Sequence, residues 1–226
     1  NAVKVIVFQS GDRDFFIAHA DVELIQTLPT DGPARPEEIS FFHQTLELYR
    51  NMPKVTIGKI EGRARGGGSE FLLALDMRFA AIGRAILSQP EVAIGIIPGG
   101  GGCVRLPRLI GRGRALEVIL GCEDYDALTT ERYGYVNRAL EPDALGPFVD
   151  ALARRIARFP AHAITQAKAA VNNSDAMPIA DALLEEEHCF NLTLREADTR
   201  ERMAKFMASG GQTRDVEKRG LPLGHL

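Results

Sequence analysis

Apolar and polar positions follow one another along the chain in a pattern that predicts an α/β fold. The continuous β-branched run over residues 3–10 is typical of a buried parallel strand, and residues 11–14 supply the turn after it. A helix is predicted from about Asp21, and a second one over residues 36–52, where apolar residues recur at helical spacing. The short apolar run over 55–60 predicts the next strand. Strand, helix and strand in this order are typical of a right-handed parallel crossover.

A run of glycines, Gly66 to Gly68, follows this second strand and stands directly before Ser69 and Glu70. Residues 71–81 behind it are apolar nearly all round a helical wheel, which predicts a buried helix. A buried helix that begins at a glycine-rich loop aims free N–H groups and a positive dipole end into a cleft. Such a place suits an anion, or an oxygen that becomes one during a reaction. A simple tight turn also remains open, because the helix dipole alone favours a glutamate in the first turn.

The second half of the chain repeats the short apolar runs and then becomes helical. The four glycines 99–102 lack the Lys-Ser/Thr ending of a phosphate-binding P-loop, which excludes that motif. Residues 28–36, with three prolines and a glycine, predict an irregular loop. Further helices are predicted over 113–120, 128–133, 143–158, 161–172 and 178–208, and a short strand over 136–140. The last helix is too apolar for a free surface helix, so a partner subunit is predicted to cover it.

Composition narrows the classes of function. The 226 residues suggest one large domain or one domain with an appendage. A formal net charge of −3 offers no case for a nucleic-acid or anionic-membrane partner, and no apolar stretch approaches the roughly 18 residues that span a bilayer. The three cysteines are odd in number and scattered, which predicts free thiols in a reducing compartment, the cytoplasm. Because the chain starts at Asn1 and enters a strand at once, we expect that some N-terminal sequence precedes it.

Four segments together resemble the enoyl-CoA hydratase/isomerase (crotonase) family, and the resemblance covers essentially the whole chain. The segments are I-A-H-A-D at 17–21, G-R-A-R-G-G-G-S-E at 62–70, S-Q-P-E-V-A-I-G-I-I-P-G-G-G-G at 88–102 and R-L-P-R-L-I-G at 105–111. The resemblance implies a crotonase (ClpP/crotonase-like) fold, an α/β spiral of repeated ββα turns with a helical C-terminal region. Residues 1–158 would form the core, without the family's first strands, and residues 159–226 a helical region for trimerisation.

The same resemblance implies site residues and partners. The oxyanion-hole donors map to the backbone N–H groups of Ala20 and Gly67, and the catalytic carboxylates map to Glu70 and Glu91. The residues implied to bind substrate are Ala18, His19, Ala20, Asp21, Val22, Gly66 and Gly67. The substrate is an acyl-CoA thioester of fatty acid metabolism, with coenzyme A as part of the substrate, no permanently bound cofactor and no metal. The chain would associate with itself as a homotrimer or a dimer of trimers.

The chemistry is consistent with these residue types. When water adds to an enoyl thioester, charge develops on the carbonyl oxygen, where two backbone donors would stabilise it. Hydration also needs a base for the water and an acid for the α-carbon, and two carboxylates in opposite protonation states can fill both roles. We assign Glu70 to the water and Glu91 to the α-carbon proton. His19 departs from the family, which generally has glycine there, and we expect its ring to be turned away so that Ala20 keeps its donor.

Three alternatives remain open at the level of the sequence. A Δ3,Δ2-enoyl-CoA isomerase would use a single glutamate, so the presence of two favours a hydratase. A serine or cysteine hydrolase would use Ser69, Ser88 or Cys103 with His19, but the chain has no G-x-S-x-G elbow. A non-catalytic acyl-CoA-binding homologue is the third, because folds can outlive their functions.

Overall fold

The computed structural model describes residues 3–31 and 36–219, so the predicted loop at 28–36 lies partly outside the described residues. The strands are β1 (Val5–Phe8), β2 (Phe15–Ile17), β3 (Val55–Ile60), β4 (Arg63–Arg65), β5 (Met77–Ala81), β6 (Ile86–Ser88), β7 (Tyr125–Asp126) and β8 (Arg138–Leu140). The helices are α1 (Val22–Gln26), α2 (Phe41–Asn51), α3 (Gly67–Ala74), α4 (Gly102–Ile110), α5 (Arg112–Gly121), α6 (Ala127–Tyr133), α7 (Pro142–Ala157), α8 (Ala161–Ser174), α9 (Ile179–Arg195), α10 (Ala197–Ala208) and α11 (Arg214–Arg219). A 3₁₀ turn spans Glu91–Ile94.

Strands β1 to β6 enter two sheets in alternation, after which β7 joins the sheet of β6 and β8 joins the sheet of β5. One sheet has the order β1-β3-β5-β8 and the other the order β2-β4-β6-β7. The pairings β3–β5, β5–β8, β2–β4 and β4–β6 are parallel, and the short β7 pairs antiparallel with β6. Because helices follow these strand pairs, the chain repeats a ββα turn. This confirms the predicted α/β architecture of ββα turns with a helical C-terminal region.

The prediction of a single helix over residues 71–81 is wrong. Helix α3 already begins at Gly67 and ends at Ala74, and Met77 to Ala81 form the strand β5. Asp76 marks the break, since its carboxylate accepts the N–H of Thr56 at 2.8 Å while its own N–H donates to the Thr56 hydroxyl at 3.0 Å. The strand is buried on both faces, so its sequence has no alternation to separate it from a buried helix.

Other elements differ from their predictions in extent. The strands β2 and β4 and the helix α4 were not predicted. Helix α2 begins at Phe41, because Ser40 caps it by accepting the N–H of His43 at 3.2 Å. The predicted helix over 178–208 is two helices, α9 and α10, which meet at Glu196 in extended conformation.

The described chain forms two compact units. The first, residues 5–31, 36–52 and 56–153, holds the segments of the candidate site and nearly all of both sheets. Its core is an apolar cluster in which strand residues meet the inner faces of the helices. The main members of this cluster are Ile60, Ala64, Leu72, Leu75, Leu87, Leu106, Val118 and Tyr135.

The second unit, residues 3–4, 53–55 and 154–219 among those described, consists mainly of the C-terminal helices. Lys4 Nζ donates to the carbonyls of Ala157 and Phe159 at 3.0 and 2.7 Å, and Lys168 Nζ donates to the carbonyl of Lys54 at 2.8 Å. These bonds tie the two short N-terminal pieces to the helices. The assignment of residues 1–158 to the core and of 159–226 to trimerisation stays a prediction. Among the described residues, no helix is both long and apolar enough to cross a membrane.

Candidate active site

The glycine segment forms a sharp turn between β4 and the start of α3. Gly66 has φ of 50° and ψ of −122°, a backbone conformation that residues with a Cβ rarely adopt. A Cβ on Gly66 would stand 2.7 Å from Glu91 Oε1, so this glycine is also needed for the approach of the Glu91 carboxylate. The N–H of Gly66 donates to the carbonyl of Ser88 at 3.0 Å, which ties the turn to the end of β6.

The segment that carries Ala20 lies directly against this turn. A Cβ on Gly67 would lie 3.3 Å from the Ala20 Cβ and 3.5 Å from the Ala20 nitrogen. Gly67 is the first residue of α3, where a backbone N–H has no acceptor within its own helix. In the part of the chain that the structure describes, no hydrogen bond uses the N–H of Ala20. The structure therefore brings together the two N–H groups that the sequence singled out.

Glu70 is held by the second glycine run. Its side chain is only 2% exposed, and Oε1 accepts the N–H groups of Gly100 and Gly102 at 2.6 and 2.8 Å. Residues 99–102 form a turn at the start of α4, so their backbone donors converge on one carboxylate oxygen. The carboxylate is fixed by bonds to the main chain rather than by another charged side chain.

Glu91 begins the 3₁₀ turn and is 9% exposed. Burial raises the pKa of Glu91 to about 7; a hydrogen bond from its own backbone opposes the rise, and repulsion from Glu70 adds to it. When the Gln89 amide is turned so that its nitrogen faces Glu91, this nitrogen donates to both Glu91 oxygens at 3.2 Å. A carboxyl group with this pKa is present at neutral pH in both its protonated and its ionised form.

A buried polar cluster continues behind Gln89. The Tyr135 hydroxyl hydrogen-bonds to the Ser69 hydroxyl, and the side chains of Ser69, Tyr135 and Gln89 are all fully buried. Burial raises the pKa of Tyr135 to about 12, so the phenol stays protonated. Arg78 donates to the carbonyl of Tyr135 at 2.9 Å and to that of Leu75 at 2.8 Å, which anchors this region.

His19 is exposed, and its Nδ1 lies 2.6 Å from the carbonyl oxygen of Ala20. Because a carbonyl oxygen only accepts, Nδ1 must carry the proton, and Nε2 is left toward solvent. The ring thus bonds to the carbonyl oxygen of Ala20 and is turned away from the backbone N–H of Ala20, as expected. That N–H has no partner among the described residues. Of the residues considered for a hydrolase, His19 bonds to Ala20 and Ser69 bonds to Tyr135, so these two do not pair with each other.

The remaining residues implied to bind substrate belong to the same segment, residues 18–22. Ala18 follows β2 and is half-buried, and Asp21 caps α1 by accepting the N–H of Glu23 at 2.9 Å. Val22, the first residue of α1, is 40% exposed. Asp21 therefore has a structural task of its own, the capping of the helix that follows the candidate donor.

The sequence analysis missed what holds the two glutamates in place. Gln89 lies in the segment 88–102 that carries the resemblance, but no role was predicted for it. The glycines 99–102 were interpreted only as a break in the chain. No short motif marks Tyr135, which reaches the site through a contact 66 positions away in the chain. Within the described residues, no cluster of three or more His, Cys, Asp or Glu residues could hold a metal ion.

Known proteins of similar sequence and fold identify the family of this chain. A family model described as "Enoyl-CoA hydratase/isomerase" matches residues 1–213. A "Crotonyl-CoA hydratase" of Syntrophomonas wolfei is 34% identical over 203 residues, which cover 90% of this chain and 76% of the relative. A "Short-chain-enoyl-CoA hydratase" of Clostridium acetobutylicum is 31% identical over 206 residues, covering 91% of this chain and 77% of the relative. The crystal structure of an enoyl-CoA hydratase from Bacillus anthracis superposes with a TM-score of 0.81 at 30% identity, covering 91% of this chain and 79% of that one.

Proposed function

Since the chain belongs to the enoyl-CoA hydratase/isomerase family, with the crotonase fold, we propose that it is an enoyl-CoA hydratase-like lyase. It adds water across the double bond of a 2-enoyl-CoA thioester and yields a 3-hydroxyacyl-CoA. The observation that carries the proposal is the meeting of two buried glutamates with the Gly66–Gly68 turn and the Ala20 segment.

The backbone N–H groups of Ala20 and Gly67 bind the thioester carbonyl oxygen. Their closeness and the lack of a partner for the Ala20 N–H among the described residues support this role. Preorganised donors of this kind stabilise the negative charge that develops on the oxygen, and the loss of one typically costs about 10²–10³ in rate. Gly66 and Gly68 keep side chains out of this region, and Ala18, His19, Asp21 and Val22 border the path of the CoA moiety.

The two carboxyl groups divide the proton transfers. Glu70 accepts a proton from the water whose oxygen bonds to the β-carbon, and the π electrons move toward the carbonyl oxygen. Glu91 then gives its proton to the α-carbon as the carbonyl re-forms, and a proton passes from Glu70 to Glu91 directly or through solvent to restore the enzyme. The pKa of Glu91, raised to about 7, supports its role as the acid, since it keeps a protonated fraction at neutral pH.

Coenzyme A takes part only as a piece of the substrate, and we propose no permanently bound cofactor. We also propose a homotrimer or a dimer of trimers as the working assembly. The exposed leucines and phenylalanine of α9 support self-association. The free thiols Cys103, Cys122 and Cys189 support a reducing compartment, the cytoplasm.

A turnover screen tests the activity. Purified protein is incubated with 2-enoyl-CoA esters of increasing acyl length, and loss of the conjugated thioester absorbance is followed alongside formation of 3-hydroxyacyl-CoA. We expect hydration of at least one member, and none of the matching saturated esters. Conversion of 3-enoyl-CoA to 2-enoyl-CoA without hydration would instead identify an isomerase, and binding of all esters without turnover would identify a non-catalytic acyl-CoA-binding protein.

A further inference from the structure

The Phe42 side chain of α2 lies against the glycine turn that holds Glu70. A Cβ on Gly100 would stand 2.3 Å from Phe42 Cε1 and 2.6 Å from Glu70 Oε2, so the ring and this carboxylate oxygen are close neighbours. Because Gly100 has no side chain, the space at this point is shared by Phe42 and Glu70. An apolar ring therefore borders the carboxylate to which the proposed function gives the role of base.

Oε2 is the Glu70 oxygen that is left to act on water. Oε1 accepts the N–H groups of Gly100 and Gly102 at 2.6 and 2.8 Å, whereas no hydrogen bond among the described residues uses Oε2. A base takes its proton from a water within about 2.6–3.2 Å, and that water attacks a carbon about 3–3.5 Å away. The β-carbon of a 2-enoyl group and its substituents must therefore come close to Oε2, where the Phe42 ring lies.

Helix α2 holds the ring in this place. Leu46 is 0% exposed and lies one turn after Phe42 on the same face of the helix, whereas the neighbouring Phe41 is 84% exposed. Glu47 forms an ion pair with Arg105 of α4, the helix that begins at the glycine turn. Phe42 is therefore a fixed part of the candidate site rather than a side chain on a loop.

We propose that Phe42 is a specificity-determining residue that limits the size of the acyl group at the β-carbon. This inference rests on the base role of Glu70 in the proposed function. The ring is 39% exposed, so part of its surface is open to contact with the acyl group. A straight-chain 2-enoyl group carries one hydrogen at the β-carbon, and a β-methyl branch would need the space that the ring fills. The favoured substrates are therefore straight-chain 2-enoyl-CoA esters rather than β-branched ones.

The test compares Phe42→Ala with Phe41→Ala, its exposed neighbour on the same helix, in the full-length protein. The measured quantity is the ratio of kcat/KM for 3-methylbut-2-enoyl-CoA to kcat/KM for but-2-enoyl-CoA. The intrinsic reactivity of the two esters is the same for every variant, so a change in this ratio reports the site. We expect the ratio to rise about 10- to 200-fold in Phe42→Ala, which is the usual effect of one methyl group in a pocket, and to stay at the wild-type value in Phe41→Ala.

A binding measurement keeps the test independent of turnover. The affinities for butanoyl-CoA and 3-methylbutanoyl-CoA, which do not react, are measured by calorimetry, and their ratio should shift toward the branched ester in Phe42→Ala. An unchanged pair of ratios in a folded Phe42→Ala overturns the inference, and Phe42→Leu, with a smaller expected rise, decides if that variant does not fold. A wild-type protein that hydrates neither ester would refute the hydratase activity, whereas hydration with unchanged ratios would refute the role of Phe42 alone.

Discussion

At the scale of single residues, the two candidate carboxylates lie in different surroundings. Glu70 Oε1 accepts two backbone N–H groups at 2.6 and 2.8 Å, whereas burial raises the pKa of Glu91 to about 7. An acid–base pair needs such a difference, because two groups in equal environments cannot serve as base and acid at one pH. Burial of an ionisable group costs stability whenever the group must ionise, so the environment of Glu91 should be measurable in the stability of the fold.

We predict that Glu91→Gln stabilises the protein in a pH-dependent way. The folded-state pKa of about 7 lies above the ordinary value of 4.5, so the wild-type protein loses stability as pH rises through this window. Glutamine binds no proton, and the variant avoids that loss. The melting temperature of Glu91→Gln relative to wild type should therefore rise between pH 4.5 and 7 and level off above.

Glu201→Gln serves as the control for this experiment. Glu201 is an exposed residue whose hydrogen bond from Lys205 lowers its pKa, so its replacement should give a small difference of the opposite sign. A Glu91→Gln difference that is flat or falls with pH would contradict the environment that we assign to Glu91.

The sequence named the candidate residues of the site but not the contacts that hold them. Glu70, Glu91 and the first glycine run stand in short segments whose spacing is specific, so a resemblance could identify them. The Ser69–Tyr135 bond joins residues 66 positions apart, and no local pattern encodes such a contact. Gly100 and Gly102 were visible as glycines, but which carboxylate their N–H groups face depends on the folded chain.

At the scale of elements, the site is assembled where β2 meets α3. Residues 66–68 allow α3 to begin close beneath β2, and the Ala20 segment follows β2 directly. The sequence predicted β3 at its observed bounds because a turn residue stands on each side of a short β-branched run. The sequence predicted α3 and β5 as one helix because both are buried and apolar. The hydrogen bond between Asp76 and Thr56 that separates them joins residues distant in the chain, so no local pattern reveals it.

Gly68 offers a direct test of this packing. A Cβ on Gly68 would stand 2.2 Å from the carbonyl oxygen of Ile17 and 2.8 Å from its Cβ, so Gly68→Ala must push β2 and the Ala20 segment away. We expect a loss of about 1–3 kcal/mol in the free energy of unfolding, measured by urea denaturation, together with a lower kcat.

Gly113→Ala is the matched control. Gly113 lies in α5, where an added Cβ meets nothing within 4 Å and the next residue is not a proline. This change should stabilise the protein by about 0.5–1 kcal/mol and leave activity intact. A Gly68→Ala protein as stable and active as wild type would show that β2 does not pack on α3 as described.

At the scale of the whole molecule, the C-terminal helices leave apolar side chains uncovered. On α9 the exposed fractions are 81% for Ile179, 58% for Leu183, 68% for Leu184 and 58% for Phe190. Such a concentration on one helix is typical of a surface that associates with another protein. The sequence predicted a partner for this helix from its run of apolar residues, and that partner stays a prediction.

We predict a homotrimer or hexamer in sedimentation velocity at micromolar concentration. Leu184→Glu should shift the distribution to smaller species, because a charge would be buried on association. Asn191→Asp, which adds the same charge at an exposed polar position of α9, should leave the assembly intact. A stable, fully folded wild-type monomer would contradict the proposed assembly.

The proposed roles of Glu70 as base and Glu91 as acid are tested most directly by the hydration rates of Glu70→Gln and Glu91→Gln. The affinity of each variant for a non-reactive saturated acyl-CoA is measured in parallel. Each substitution keeps the size of the side chain and removes its proton-transfer capacity. We predict that each variant loses about 10²–10⁴ in kcat while the affinity stays nearly that of wild type. Loss of turnover in Glu91→Gln alone, with a neutral Glu70→Gln, would favour isomerase chemistry, and full activity of both variants would contradict an enzymatic role for this pair of carboxylates.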